Sequence, residues 1–283
     1  KAVNKQLLPL YDKPLIFYPL SILMLANIKN ILIIVNKGQL NTFRRILPEK
    51  NNLGIKIKYA EQKKIKCINA AEGNKQAVAE HALALILNLF NKINQANNEL
   101  KSGKWLREEN RGIELSGKKI GIIGFGNTGS SFVNLLKNFD LELLVYDKYK
   151  QNYEYKSSLK EIFEKAEILS LHVPLNDETK KYIDKSFINK MKKPFYLINT
   201  SRGQCVDTKA LIRGIKENKV KGACLDVFEH EKTSFEKLKR NRDLTFLLNS
   251  NKTILTPHIA GWTTESYFKI AKILSEKIIS ELS

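Results

Sequence analysis

Three residues in the second half of the chain have the types that a proton-coupled redox reaction needs: Arg202, Glu231 and His258. A histidine, ionising near neutral pH, takes or returns a proton as a hydride leaves or joins the neighbouring carbon. A carboxylate against its second ring nitrogen fixes the tautomer and favours imidazolium, and Glu231 is the candidate for that part. An arginine fork grips a carboxylate through two parallel bonds and polarises the adjacent carbonyl, which suits Arg202 to a 2-oxo acid. Each residue also has an ordinary reading. Arg202 then ties down a turn, Glu231 is a solvated acid of a charged loop, and His258 is a strand-end residue satisfied by backbone. Their joint placement at successive strand ends favours chemistry, because open α/β sheets bind ligands at their carboxyl edge.

The hydride carrier is legible in residues 118–147. An apolar run, Ile120 to Phe125, reads as a buried parallel strand and runs into Gly124, Gly126 and Gly129 at the spacing G-x-G-x-x-G, with Asn127 and Thr128 between the last two. The first glycine allows a tight turn, the second lets a pyrophosphate approach the backbone, and the third lets the following helix pack close to the strand. A second apolar strand, Leu141 to Tyr146, delivers Asp147 eighteen residues after Gly129, where a carboxylate holds ribose hydroxyls. Its charge repels a 2′-phosphate and so favours NAD over NADP, with Lys148 and Lys150 close enough to blur the preference.

These residues need a frame, and the pattern after Asp147 supplies one. Ser157 to Lys165 reads as a helix, Ile168 to Val173 as a strand, Asp184 to Met191 as a helix and Phe195 to Thr200 as a strand leading to Ser201-Arg202-Gly203. Asp207 caps a helix to Glu217, Ala223 to Phe228 is a strand, a charged loop follows, and Thr253 to Leu255 is the last strand before a closing helix from Thr263. Such alternation is that of a doubly wound parallel sheet, a Rossmann-type α/β fold. Before it, Lys66 to Ala70 reads as a short strand and Ala77 to Asn94 as one long apolar helix. His81 on that helix reads as a packed residue without a role, and His172 and His230 as structural or exposed.

Residues 1–64 read as a separate α/β fragment. Pro14 opens an apolar helix from Leu15 to Ala26, with Pro19 kinking it or sitting in its first turn. Ile31 to Val35 reads as a buried strand, Leu40 to Leu47 as an amphipathic helix and Ile55 to Tyr59 as an alternating strand. The text changes character near Lys64 and Ile65, which divides the chain into 1–64, a dinucleotide-binding domain over 65–268, and a C-terminal helix over 269–283.

Composition narrows the setting. Lys and Arg number 48 against 29 Asp and Glu, a net charge of +19. Lysine outnumbers arginine and is spread singly along the chain, so the excess reads as compositional drift, and no nucleic-acid partner is expected. Cys67, Cys205 and Cys224 form no C-x-x-C pair, which fits a reduced, cytoplasmic setting, and no metal site is expected. No stretch has the length and apolarity of a membrane span and the N-terminus lacks a signal-peptide pattern, so a soluble protein with no membrane partner is expected.

Two resemblances add to this. Lys5 to Pro14, followed by Tyr18-Pro19-Leu20-Ser21, resembles the start of sugar-1-phosphate nucleotidyltransferases of the glucose-1-phosphate thymidylyltransferase type. In that family the lysine at the place of Lys5 contacts nucleotide phosphates, but the glycine-rich loop expected before Lys1 and the sugar- and metal-binding portions are not in the chain. Residues 65 to about 270 resemble the NAD-binding domain of the D-isomer-specific 2-hydroxyacid dehydrogenases, with phosphoglycerate dehydrogenases of serine synthesis the nearest likeness. The matching stretches are 71–74, 105–112, 124–129 with Asp147, 171–175, 198–203, 225–229 and 256–262. The resemblance implies NAD held by Gly124, Gly126, Asn127, Thr128, Gly129 and Asp147, by the strand end His172-Val173-Pro174, and by Thr200 and Asp226. It implies Arg202, Glu231 and His258 as the catalytic set, a small 2-hydroxy or 2-oxo acid as substrate, and a homodimer built partly by the Trp105 region. Two departures stand out. Ala71 takes the place of a usual proline, and Lys232 follows Glu231 where proline is usual, which makes Glu229 an alternative partner for His258.

The family's substrate domain, which should precede Ile65, is replaced by the nucleotidyltransferase-like piece. NAD binding with weak or absent turnover is therefore expected, since an open cleft neither orients the substrate nor excludes water. A non-catalytic NAD-binding module is the alternative reading, and a nucleotidyltransferase fragment a distant third.

Overall fold

A strand buried on both faces needs apolar residues at every position, and the runs after residue 118 have them. A computed structural model of the chain describes residues 5–7, 9–10, 13–36, 38–61, 68–229, 231 and 241–282. It divides into two compact units, Lys1–Cys67 and Ile68–Ser283.

In the first unit, β1 (Pro9–Leu10) and β2 (Lys13–Pro14) form a short antiparallel pair, followed by α1 (Phe17–Leu25), β3 (Asn30–Val35), α2 (Leu40–Ile46) and β4 (Lys56–Glu61). β3 and β4 pair in parallel as a sheet of two strands. Leu20, Val35, Phe43, Leu47 and Ile57 make its small core. Pro14 lies in β2 rather than at a helix start, and Pro19 occupies the first turn of α1, where its missing N–H costs nothing. β3 was expected to be buried, yet its residues alternate between exposed and half-buried until Val35, because only one face of the pair is covered.

The second unit begins with α3 (Lys75–Phe90) and α4 (Ile93–Lys101). The single helix expected over 77–94 is thus two, broken where Lys92 turns left-handed at φ 51°, with the Asn94 N–H capped by the Asn88 side chain. Then come β5 (Lys119–Ile123), α5 (Asn127–Leu136), β6 (Glu142–Tyr146), α6 (Leu159–Lys165), β7 (Ile168–Leu171), α7 (Lys185–Lys190), β8 (Phe195–Asn199), α8 (Thr208–Lys216), β9 (Val220–Leu225), α9 (Arg242–Asn249), β10 (Thr253–Leu255) and α10 (Thr264–Leu282). α9 falls in what reads as loop; Asn241 caps it and Leu244 and Leu247 bury one side of it. Residues 68–70 are not a strand. The Lys5 side chain, Cys67, His230, Lys232 and the 64–65 junction lie outside the described residues.

The six strands run parallel in the order β10-β9-β8-β7-β5-β6, a doubly wound sheet. Ile120, Ile122 and Val145 face a layer with Phe90 of α3 and Phe132 of α5, while Ile123, Leu169 and Leu197 face Ile162, Phe187 and Leu211 of α6, α7 and α8. The order in which strands are added reverses at β5, with β6 on one side and β7 on the other, and the crevice at that switch point is where such sheets take ligands. Cys205 and Cys224 are free and buried. Among the described residues no helix is long and apolar enough to cross a membrane, and no three acids, histidines or cysteines gather as a metal site.

Candidate active site

The turn after β5 is built around glycine. Gly124 takes φ +97°, and a Cβ there would stand 2.3 Å from the His172 carbonyl oxygen; on Gly129 it would stand 2.0 Å from the Gly124 carbonyl oxygen. At Gly126 the same position is open space. Gly126 caps α5 without a side chain, so the N–H groups of Asn127, Thr128 and Gly129 have no intrahelical acceptor and face an anion's natural seat.

Asp147 stands beside this turn. Its Oδ2 accepts the Phe125 N–H at 2.7 Å and its Oδ1 accepts the N–H groups of Tyr149 and Lys150 at 2.9 and 3.0 Å. Burial pushes the carboxyl pKa up, but these three donors outweigh it and hold the group below the usual carboxylate range. Of the roughly four acceptor positions of a carboxylate, one stays open for a ribose hydroxyl.

The backbone of 172–174 walls the turn on its other side, with Val173 packed against Gly124. The His172 side chain does not join the site. It is buried, its Nε2 pairs with Ser170 Oγ at 2.9 Å, and burial drives its pKa down to about 4, so it is a neutral core residue. Pro174 offers its carbonyl to Thr179 Oγ1 at 2.6 Å.

At the ends of β8, β9 and β10 lies a cleft of about 560 Å³ lined by Thr200, Arg202, Asp226 and His258 among others. Arg202 is exposed on a turn held by Asn199, whose Oδ1 accepts the Ser201 N–H at 3.1 Å and whose Nδ2 donates to the Arg202 carbonyl at 3.1 Å. One guanidinium N–H of Arg202 is spent on the Ser201 carbonyl at 2.7 Å, and the rest of the fork is open to a ligand. His258 bonds through Nδ1 to Glu231 Oε1, which leaves Nε2 for the cleft. Glu229, the alternative partner, is elsewhere. It accepts the Thr208 N–H at 2.8 Å at the start of α8 and lies 3.3 Å from Lys181 Nζ.

His258 itself is left-handed at φ 57°, a strained conformation for a residue with a Cβ. Asp226 holds it there. Three consecutive N–H groups end on this one residue: His258 on its carbonyl at 2.8 Å, Ile259 on Oδ1 at 2.8 Å and Ala260 on Oδ2 at 2.8 Å. Asp226, expected to contact the cofactor, lines the cleft, but its side chain is 1% exposed and both of its oxygens are engaged by the turn. Thr256 Oγ1 adds a fourth bond at 2.6 Å, and His81 Nε2 lies 3.0 Å from that hydroxyl and 3.5 Å from Asp226 Oδ1. His81, read from the sequence as having no role, lies 175 positions from Thr256 along the chain.

Residues 83–260 match the NAD binding domain of D-isomer specific 2-hydroxyacid dehydrogenase. The chain belongs to this family. Glyoxylate reductase of Thermofilum pendens is 38% identical over 218 residues, spanning 73% of this chain and 62% of that protein. Hydroxypyruvate reductase of Thermotoga maritima is 36% identical over 232 residues, 81% of this chain and 74% of the relative. D-3-phosphoglycerate dehydrogenase of Archaeoglobus fulgidus is 35% identical, and the chain spans 42% of its length. Among solved structures, D-lactate dehydrogenase from Aquifex aeolicus complexed with NAD and lactic acid superposes with a TM-score of 0.67 at 27% identity, over 90% of this chain and 83% of that one. Residues 1–92 match a different family, nucleotidyl transferase.

NAD is the cofactor of the dehydrogenase domain, and the residues in place fit it. The cradle at Gly126 is open to a pyrophosphate, Asp147 keeps an acceptor for the ribose, and Thr200 Oγ1 is a buried hydroxyl without a partner on the wall of the cleft.

Proposed function

We propose that this chain binds NAD and, as a D-2-hydroxyacid dehydrogenase, interconverts a small 2-hydroxy acid and its 2-oxo acid, with 3-phosphoglycerate the first substrate to test. When bound, NAD supplies the hydride acceptor or donor. Arg202 receives the substrate carboxylate through its open N–H groups. His258 Nε2 takes the hydroxyl proton in oxidation and returns it in reduction. Glu231 keeps the imidazole in the tautomer that leaves Nε2 free and stabilises it once protonated. The observation that carries the reading is the strained His258, paired with Glu231 and sharing one cleft with Arg202.

Asp147 favours NAD over NADP, because Lys148, 2.8 Å from Glu178, has its charge matched elsewhere. A homodimer in the cytoplasm is part of the same proposal, with the exposed Trp105 on its contact face. Calorimetry with NAD and NADP, followed by steady-state rates with glyoxylate, hydroxypyruvate and 3-phosphoglycerate, tests it. Binding of NAD tighter than NADP, and a rate that falls about a thousandfold in His258→Ala while NAD binding stays, are expected. Intact NAD affinity with no His258-dependent rate would make the chain a binding module.

A further inference from the structure

Asp226 is a buried carboxylate at the end of a central strand of the sheet, and it works only while ionised. As a carboxylate it accepts from the N–H groups of Ile259 and Ala260 and from the Thr256 hydroxyl at once. Protonated, one oxygen becomes a donor facing another donor, and one of the N–H groups that fix the left-handed His258 turn loses its acceptor. Keeping a charge in a site that is 1% exposed requires donors of more than ordinary strength.

We propose that His81 is a positioning residue for His258, acting through Thr256 and Asp226. Thr256 has one hydroxyl proton, and at 2.6 Å it goes to Asp226. The contact of 3.0 Å between Thr256 Oγ1 and His81 Nε2 therefore has the proton on Nε2, with the threonine oxygen accepting. A hydroxyl that accepts such a bond donates more strongly, so the chain His81, Thr256, Asp226 is polarised toward the carboxylate. His81 Nε2 also stands 3.5 Å from Asp226 Oδ1, where its own dipole or charge favours the ionised acid. The low pKa of Asp226 agrees: burial pushes it up, and the bonds from His81, Thr256, Ala260 and Ile259 together outweigh that. Helix α3 thus reaches into the turn at the far end of the chain. This rests on the function proposed above for His258, but its test does not need turnover or NAD.

The experiment is amide hydrogen exchange together with histidine-labelled NMR on the full chain. The variants are His81→Phe, which fills the space without a donor; His81→Gln, which returns an N–H; and Thr256→Val, which removes the link. In His81→Phe and Thr256→Val, exchange at Ile259 and Ala260 rises about tenfold, the loss of roughly one hydrogen bond. The His258 Nδ1 proton, held by Glu231, then exchanges faster with water and its resonance broadens. Ile122 and Leu169, in the buried strands, keep their protection, and His81→Gln restores the turn. Unchanged exchange at Ile259 and Ala260 in His81→Phe overturns the proposal. So does an equal rise at Ile122 and Leu169, which would make His81 a packing residue only. If His81→Phe does not fold, Thr256→Val alone decides. A wild-type chain that fails to bind NAD sinks the functional reading and leaves this one standing, whereas unchanged exchange in a chain that binds NAD sinks this one alone.

Discussion

Two strands with nearly the same lettering meet opposite fates in this molecule. β5 reads Lys-Ile-Gly-Ile-Ile, lies between β6 and β7, and is fully buried from Ile120 to Ile123. β3 reads Asn-Ile-Leu-Ile-Ile-Val, pairs among the described residues with β4 alone, and leaves Leu32 58% and Ile34 49% exposed. The helices differ in the same way. α8 buries Leu211, Ile212 and Ile215 and turns Lys209, Arg213 and Lys216 outward, whereas α1 is apolar all round, with Ile22 at 66% and Leu25 at 88% exposure. An apolar run records the burial for which a segment was selected; the burial it obtains depends on its neighbours. The two-stranded sheet of the first unit leaves the outer positions of its apolar run uncovered among the described residues. The second unit has its full set of layers, and that is why it can hold a strained histidine in place.

The largest separation between the units should appear in turnover. His258→Ala lowers the rate with the best 2-oxo acid about a thousandfold, ~4 kcal/mol, the usual share of a general acid or base. Arg44→Ala, which breaks the exposed pair with Glu49 in the first unit, leaves that rate unchanged. Steady-state kinetics of the two variants decide it, and a matching drop in Arg44→Ala would tie the first unit to the site.

Next comes packing. Leu169 is fully buried in β7 between two helical layers, and Leu169→Ala should cost about 3 kcal/mol in a denaturant titration followed by a probe of the second unit. A cost below ~1 kcal/mol would mean that the two-faced core is looser than its burial implies.

A pH scan gives a smaller contrast. His172 has its pKa lowered to about 4 by burial, while the unfolded chain protonates it near the ordinary value. The folded state binds fewer protons between those two values, so the stability contributed is present above about pH 6.5 and is lost as pH falls toward 4. Between pH 6.5 and 5 the second unit should lose roughly 2 kcal/mol through this group. Residues 1–67 contain no histidine and have no such window. Thermal melts across that range should show wild type losing that stability with falling pH while His172→Phe does not, and parallel curves would remove His172 from the account.

What was readable in the sequence follows the same division. The glycine turn, Asp147, Arg202 and His258 depend on residue type at short spacing, and the alternation of strand and helix after residue 118 is local periodicity; both stand in the letters. The left-handed φ of His258, the three N–H groups gathered by Asp226 and the reach of His81 are contacts across long separations, and no local pattern encodes them. Glu229 and Glu231 are two residues apart and equally acidic; only the position of α8 and Lys181 separates a helix-capping acid from the partner of His258. α9 hid behind a charged stretch because it is short, with Leu244 and Leu247 buried and Phe246 half-buried as its whole inward side.

The smallest effect tests the comparison most directly, because it asks whether the outer face of β3 is as bare as it stands. Leu32→Thr and Ile34→Thr place β-branched residues in the strand while removing apolar surface that gains nothing from its surroundings. Together they should change stability by less than ~0.5 kcal/mol, the range of exposed substitutions. Light scattering should show less self-association, since a short parallel pair with apolar residues outward offers an open face and open edges. A loss above ~1 kcal/mol would mean that something covers this face in solution, and β3 and β5 would then differ in their partners rather than in being partnered at all.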